Sequence, residues 1–188
     1  MDIILASKSP RRIEILKDLG FSFLVNPSLK DEVVESFSSN EDLCMKLAKN
    51  KALEIYSEHK NDIVLGFDTL VFLGDNRLGK PKDENECIEM IKSLKNKSHE
   101  VITGGYIISK NYEKSFYGKC IVEFFDIDDD VILSYAKTSE PYDKAGAYAI
   151  QGFIGRFVKS VTGDYFSVIG LPKALTYKYL NEAIIKNK

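Results

Sequence analysis

Between Ile63 and Phe72, nine of ten residues are apolar, glycine or threonine, and the tenth is Asp68. A run of this composition reads as a buried strand. A carboxylate in its middle is costly to bury without a partner. Three arrangements are compatible with it. The strand bends and exposes Asp68 to a cleft, Asp68 meets a cation, or Asp68 ends one short strand and the chain turns into another. The first two make Asp68 part of a site.

The rest of the chain must supply the setting. Its 188 residues form one domain over 1–188, long enough to bury roughly 70% of the extended surface without staples. With 44% apolar and 29% charged residues it has an ordinary globular composition. A formal charge of −2 argues against a nucleic-acid partner. No apolar run reaches the ~18 residues of a membrane span, and Met1–Ser7 lacks the basic and long apolar regions of a signal peptide. Cys44, Cys87 and Cys120 are scattered without CxxC spacing, which fits reduced thiols in a cytoplasmic protein and gives no zinc signature. His59 and His99 lie among polar neighbours and read as surface residues.

Taken in order, Ile3–Ala6 reads as a strand, and Ser7-Lys8-Ser9-Pro10 turns it into a helix with Ser9 as N-cap and Pro10 at the first position. Arg11 and Arg12 follow in the first turn, where the helix dipole disfavours cations. They make sense around an anion held by backbone N–H groups, the Ser7 and Ser9 hydroxyls and the guanidinium forks. Solvated arginines paired with Glu14 or Asp18 are the alternative. Phe21–Val25 reads as a second strand, and residues 26–40 form a polar loop with acids at Asp31, Glu32 and Glu35. Asn40 caps a helix over 41–58 with an apolar stripe at Cys44, Leu47, Ala48, Ala52 and Ile55. Lys51 lies on or beside that stripe, so it either snorkels outward or reaches into a polar cleft.

After the Asp68 strand, Gly74-Asp75-Asn76 reads as a hairpin turn. Gly74–Lys80 matches GxxxxGK, but Pro81 stands where a P-loop needs Ser or Thr, and no helix follows directly. Asp83 and Glu86 form a capping box for a helix ending near Asn96. Val101–Ser109 and Phe116–Phe125 pair as antiparallel strands, and Asp128 starts another helix. The stretch 140–152 is rich in small residues, so backbone can approach a ligand there. Arg156–Val161 and Asp164–Ile169 read as a hairpin around Thr162-Gly163, and a last helix runs to about Ile185. Helices and strands alternate early and strands pair locally later. The class is therefore α/β with a mixed sheet and flanking helices.

Several stretches together resemble the Maf family of nucleoside triphosphate pyrophosphatases. They are Leu5-Ala6-Ser7-Lys8-Ser9-Pro10-Arg11-Arg12, Leu47-Ala48 with Lys51-Ala52, Asp68-Thr69 and Gly79-Lys80-Pro81, then Glu140-Pro141 with 143–148, Ile150-Gln151-Gly152, and Gly170-Leu171-Pro172. They span nearly the whole chain in the family's order. The resemblance implies an inosine triphosphatase-like fold of two lobes around a long cleft. It also implies cleavage of a nucleoside triphosphate to monophosphate and pyrophosphate with a divalent metal, Mg²⁺ or Mn²⁺. A homodimer is compatible with it. The chain departs from the family at Ala149, where many members carry Gly, and at Lys119-Cys120, where a Glu-Thr pair is frequent.

The resemblance gives the charged residues roles. Arg11, Arg12, Lys51 and Lys80 become a phosphate-binding set that stabilises the leaving pyrophosphate. Glu32 and Asp68 become oxygen ligands for the hard cation, and Asp68 becomes the general base for water. Three positions select the base. Arg11, Thr69 and Gln151 match the branch acting on dTTP and UTP, whereas Trp, Gln and Glu are typical of the branch acting on 7-methyl-GTP. Gln151 offers both a donor and an acceptor, which suits the carbonyl and N–H edge of thymine or uracil. The resemblance also carries a link to division arrest or removal of non-canonical nucleotides. A nucleotide-binding regulator of septum formation without significant catalysis is the alternative. A phospho-aspartate enzyme would need a second Asp where the chain has Leu70. A DNA-binding protein built on Arg11-Arg12 would need more positive charge.

Overall fold

Short apolar runs separated by turn residues assemble into a seven-stranded mixed sheet. The computed structural model describes residues 1–29, 34 and 36–188. Among these the strands are β1 (Ile3–Leu5), β2 (Leu24–Val25), β3 (Ile63–Leu73), β4 (Asn76–Leu78), β5 (Ser98–Ser109), β6 (Tyr112–Phe124) and β7 (Val158–Gly163). Their order is β2-β1-β3-β5-β6-β7, with β4 paired to β3. The helices are α1 (Pro10–Asp18), α2 (Asn40–Tyr56), α3 (Glu84–Leu94), α4 (Asp129–Ala136), α5 (Tyr165–Ile169) and α6 (Lys173–Lys186). Short 3-10 turns occupy Pro141–Asp143, Ala145–Ala147 and Phe153–Phe157. The α/β class with a mixed sheet and flanking helices is thus the observed architecture. None of the described helices is long and apolar enough to cross a membrane.

Two compact units divide the chain: Met1–Asp68 with Ile102–Gly118 and Gly170–Lys188, and Thr69–Val101 with Lys119–Ile169. In the first unit β1 runs parallel to β2 on one side and to β3 on the other. The chain leaves β1 through α1 to reach β2, then crosses back through α2 to β3. That reversal makes the carboxyl ends of β1 and β3 the place where an α/β sheet opens to a ligand. The core here joins Ile4, Ala48, Ala52, Val64 and Tyr106. In the second unit α3, α4 and the loop after α4 pack around Ile91, Val122, Phe124 and Tyr148.

Several boundaries differ from the sequence reading. β2 keeps only two residues, because β1 offers partners only to Leu24 and Val25. Ser39, not Asn40, caps α2, its hydroxyl accepting from the Asp42 N–H at 3.1 Å. Asp83 caps α3 as expected, but Glu86 reaches back to the Lys82 N–H at 2.7 Å rather than to that of Asp83. The expected hairpin after Gly163 is absent. Gly163, at φ 109°, ends β7, and Asp164 starts α5, accepting from the Phe166 N–H at 3.2 Å and the Ser167 hydroxyl at 2.5 Å. His99 is not on the surface but 1% exposed.

Candidate functional site

At the carboxyl end of β1 the chain turns directly into α1. Ser9 stands at the N-cap without a side-chain cap bond, and Pro10 takes the first helical position. The N–H groups of the first turn therefore point outward, as in anion sites at helix starts. The buried Ser7 hydroxyl accepts from the Ser9 N–H at 3.3 Å and from Arg12 Nη1 at 3.1 Å. Arg12 Nε donates to the Gly170 carbonyl at 2.8 Å, which ties α1 to the turn before α6. Arg12 is thus tied to Ser7 and Gly170. Asp18 faces Lys173 at 3.7 Å. Arg11 is half-buried in the same turn.

Asp68 lies inside the unbroken strand β3 and is 3% exposed. Of the three arrangements open to it, the one realised is contact with a cation: Lys51 Nζ donates to Asp68 Oδ1. Two glycines make this contact reachable. A Cβ at Gly66 would lie 2.2 Å from the Ala48 carbonyl oxygen and 2.9 Å from the Ala52 Cβ. A Cβ at Gly104 would lie 2.2 Å from the Cys44 carbonyl oxygen. Helix α2 therefore sits directly on the backbones of β3 and β5, with small residues Ala48 and Ala52 beneath it. Lys51 extends from the edge of that seam toward Asp68, so it is neither a snorkelling surface lysine nor part of the apolar stripe.

The remaining candidates belong to the second unit. Thr69 follows Asp68 and, by the pleat, points to the opposite face of β3. Lys80 is exposed just after β4, and its loop is anchored by the Gly146 N–H, which donates to the Gly79 carbonyl at 2.9 Å. Gln151 is exposed in the turn closed by the Gly152 N–H on the Ala149 carbonyl at 2.9 Å. Two small residues of this loop allow close internal packing. Gly146, at φ 69°, sits 3.1 Å from Val71 measured from an added Cβ, and Gly152 abuts Glu140. Glu140 Oε1 in turn accepts from the Phe153 N–H at 2.9 Å.

Glu32 lies outside the described residues, and among those described no three His, Cys, Asp or Glu side chains are grouped as a metal cluster. Asp68, buried and accepting from Lys51 Nζ, is a carboxylate, the ligand type of Mg²⁺, which is commonly held by one or two carboxylates together with substrate phosphates and waters. Sequence reasoning missed Gly66, Gly104 and Glu140 as supports of these residues. The signal was there in Gly66, a glycine two residues before the one acid of an apolar strand.

A family model described as Maf-like protein matches residues 2–183. A dTTP/UTP pyrophosphatase from Bacillus mycoides is 43% identical over 180 residues, 96% of this chain and 94% of the relative. One from Aquifex aeolicus is 43% identical over 185 residues, 97% of this chain and 95% of the relative. Among solved structures, the Ham1 protein of Staphylococcus aureus aligns with a TM-score of 0.51 at 14% identity, over 97% of this chain and all of that one. A HAM1 protein from Coxiella burnetii gives a TM-score of 0.50 at 13% identity, over 98% of each chain. At such identities the likeness is one of fold.

Proposed function

The chain belongs to the Maf-like protein family, and from that premise we propose that it hydrolyses dTTP and UTP to nucleoside monophosphate and pyrophosphate in the cytoplasm. Full-length relatives at 43% identity are named for action on those two nucleotides. The observation that carries the reading is the contact between Lys51 and the buried carboxylate of Asp68 at the sheet's reversal.

Each residue then has a task. Arg12, fixed by Ser7 and Gly170, presents a guanidinium fork whose geometry matches phosphate oxygens. Arg11 adds a second fork, and the N–H groups of the first turn of α1 add donors without side-chain entropy. Lys51 holds Asp68 and belongs to the same phosphate-binding set. Lys80 adds a point charge from its loop. Together these cations offset the charge that accumulates on the leaving pyrophosphate. Asp68 orients the attacking water and takes its proton. A bound Mg²⁺ or Mn²⁺, held by Asp68 and by Glu32, would polarise the phosphoryl oxygens and screen their charge. Gln151 pairs with the carbonyl and N–H edge of the pyrimidine.

Release of pyrophosphate from dTTP, UTP, CTP, ITP, GTP and 7-methyl-GTP, with and without Mg²⁺, tests this. The highest kcat/KM is expected for dTTP and UTP. A higher value for 7-methyl-GTP or ITP would overturn the base assignment. Tight nucleotide binding without pyrophosphate release would make the chain a sensor instead of an enzyme.

A further inference from the structure

The second unit contains a buried histidine that the reaction does not use. His99 stands at the start of β5 and is 1% exposed. Its Nε2 lies 2.6 Å from the Tyr148 hydroxyl, while Nδ1 has no hydrogen-bond partner among the described residues. The His99, Tyr148 and Phe124 rings meet edge to face, with centroids 4.9–5.4 Å apart. A neutral imidazole donates at one nitrogen and accepts at the other, so one of its two groups is buried unsatisfied. Phenylalanine would pack in the same space without that cost. What imidazole adds over phenylalanine is the bond to Tyr148.

Tyr148 in turn stands at the entry to the turn over 149–152. That turn is closed by the Gly152 N–H on the Ala149 carbonyl, with Gln151 at its corner. Its exit is held by Glu140, which accepts from the Phe153 N–H. On the entry side the Ala147 carbonyl accepts from the Tyr135 hydroxyl at 3.0 Å, and the Tyr148 side chain itself is held by His99. We propose that His99 is a positioning residue for base selection: acting through Tyr148, it fixes the turn that presents Gln151. The inference rests on the reading of Gln151 as the contact to the base.

The test compares His99→Phe, Tyr148→Phe, their double variant and Gln151→Ala with the wild type. For each, kcat/KM is measured with dTTP and GTP, and the inhibition constant with inorganic tripolyphosphate. His99→Phe and Tyr148→Phe are each expected to lower the dTTP-to-GTP ratio about tenfold, the scale of one hydrogen bond. The change should appear in KM for dTTP, with tripolyphosphate inhibition unchanged and no further fall in the double variant. A loss of packing alone would lower the melting temperature without moving the ratio. If Gln151→Ala collapses the ratio while folded His99→Phe and Tyr148→Phe keep it, the positioning role is overturned and the Gln151 assignment stands. If Gln151→Ala leaves the ratio unchanged, the base assignment fails and the inference falls with it. Should His99→Phe not fold, Tyr148→Phe, which removes a single oxygen, decides.

Discussion

Replacing Gly66 with alanine is the sharpest probe of how packing holds the chemistry. The added methyl would lie 2.2 Å from the Ala48 carbonyl oxygen and 2.9 Å from both the Ala52 nitrogen and Cβ. These are atoms of a helix backbone and its first side-chain carbon, so no rotamer change relieves them. Opening the closest contact to about 3.4 Å requires α2 and β3 to part by about 1 Å, since overpacked cores relax by shifting backbone. Overpacking of this kind costs about 1–3 kcal/mol, and in a chain of this length each kcal/mol lowers the melting temperature by about 2–4 °C. The larger effect should be on turnover. Lys51 is carried on α2 and Asp68 on β3, so the same shift pulls the ammonium off the carboxylate. A misplacement of about 1 Å can cost about 10²-fold in rate. Thermal melts and dTTP turnover of Gly66→Ala are the assay, with Gly104→Ala as a companion beneath the same helix. Because both glycines seat α2, the double variant should lose less than the sum of the two. Wild-type melting and turnover in Gly66→Ala would refute the claim that close packing of α2 sets the geometry of Lys51 and Asp68.

Asp68→Asn should lose about 10²-fold or more in kcat, the range of a general base; a folded variant with near-normal turnover removes Asp68 from the mechanism. Lys80→Ala should weaken triphosphate binding by calorimetry while leaving the melting temperature and the binding of unphosphorylated nucleoside unchanged, because Lys80 is exposed in a loop. Equal triphosphate affinity would exclude it from the phosphate set. Acid should act on stability through His99, whose burial pushes its pKa from 6.5 down to about 4. Unfolded chains take up that proton near pH 6.5, whereas the folded protein resists it until about pH 4. Between those values the unfolded state binds more protons, and stability falls as pH falls, by about 3 kcal/mol in total. Urea unfolding of wild type and His99→Phe at pH 7, 5 and 4 should show the wild type losing ground to the variant. Parallel curves would count against the buried neutral imidazole.

Ser7, Arg11, Arg12, Lys51 and Asp68 all belong to the first unit, and topology accounts for that as much as side-chain chemistry. β1 ends at Leu5 beside Leu65 of β3, and Ser7–Arg12 begin the connection that leaves β1 toward β2. Asp68 follows three residues beyond Leu65 on the neighbouring strand. Because the next crossover returns through α2 to the other side of β1, the chain opens between these two carboxyl ends rather than covering them. The helix that makes the crossover is the one bearing Lys51. The cation Lys51, the turn that carries Ser7 and Arg12, and the carboxylate of Asp68 thus belong to consecutive parts of one β1-α1-β2-α2-β3 run.

What the sequence made legible follows from which forces are local. The Asp68 strand and the α2 stripe could be read because apolar spacing is a property of neighbouring residues; Cys44, Leu47, Ala48, Ala52 and Ile55 are all buried. The ion pair of Lys51 with Asp68 could not, since it depends on how closely α2 seats on β3. Its trace was the coincidence of Ala48 and Ala52 around Lys51 with Gly66 beside Asp68. Helix α5 was misread because Tyr165, Phe166, Val168 and Ile169 favour strands. The tertiary context was decided instead by Asp164, which captures the start of a helix. His99 was misjudged by its polar neighbours Ser98 and Glu100, yet strand periodicity already held the answer. His99 is two residues before Val101, so the two share one face of β5, and both are 1% exposed. A histidine in register with a core valine is buried by the strand that carries it, whatever the polarity of the residues on either side.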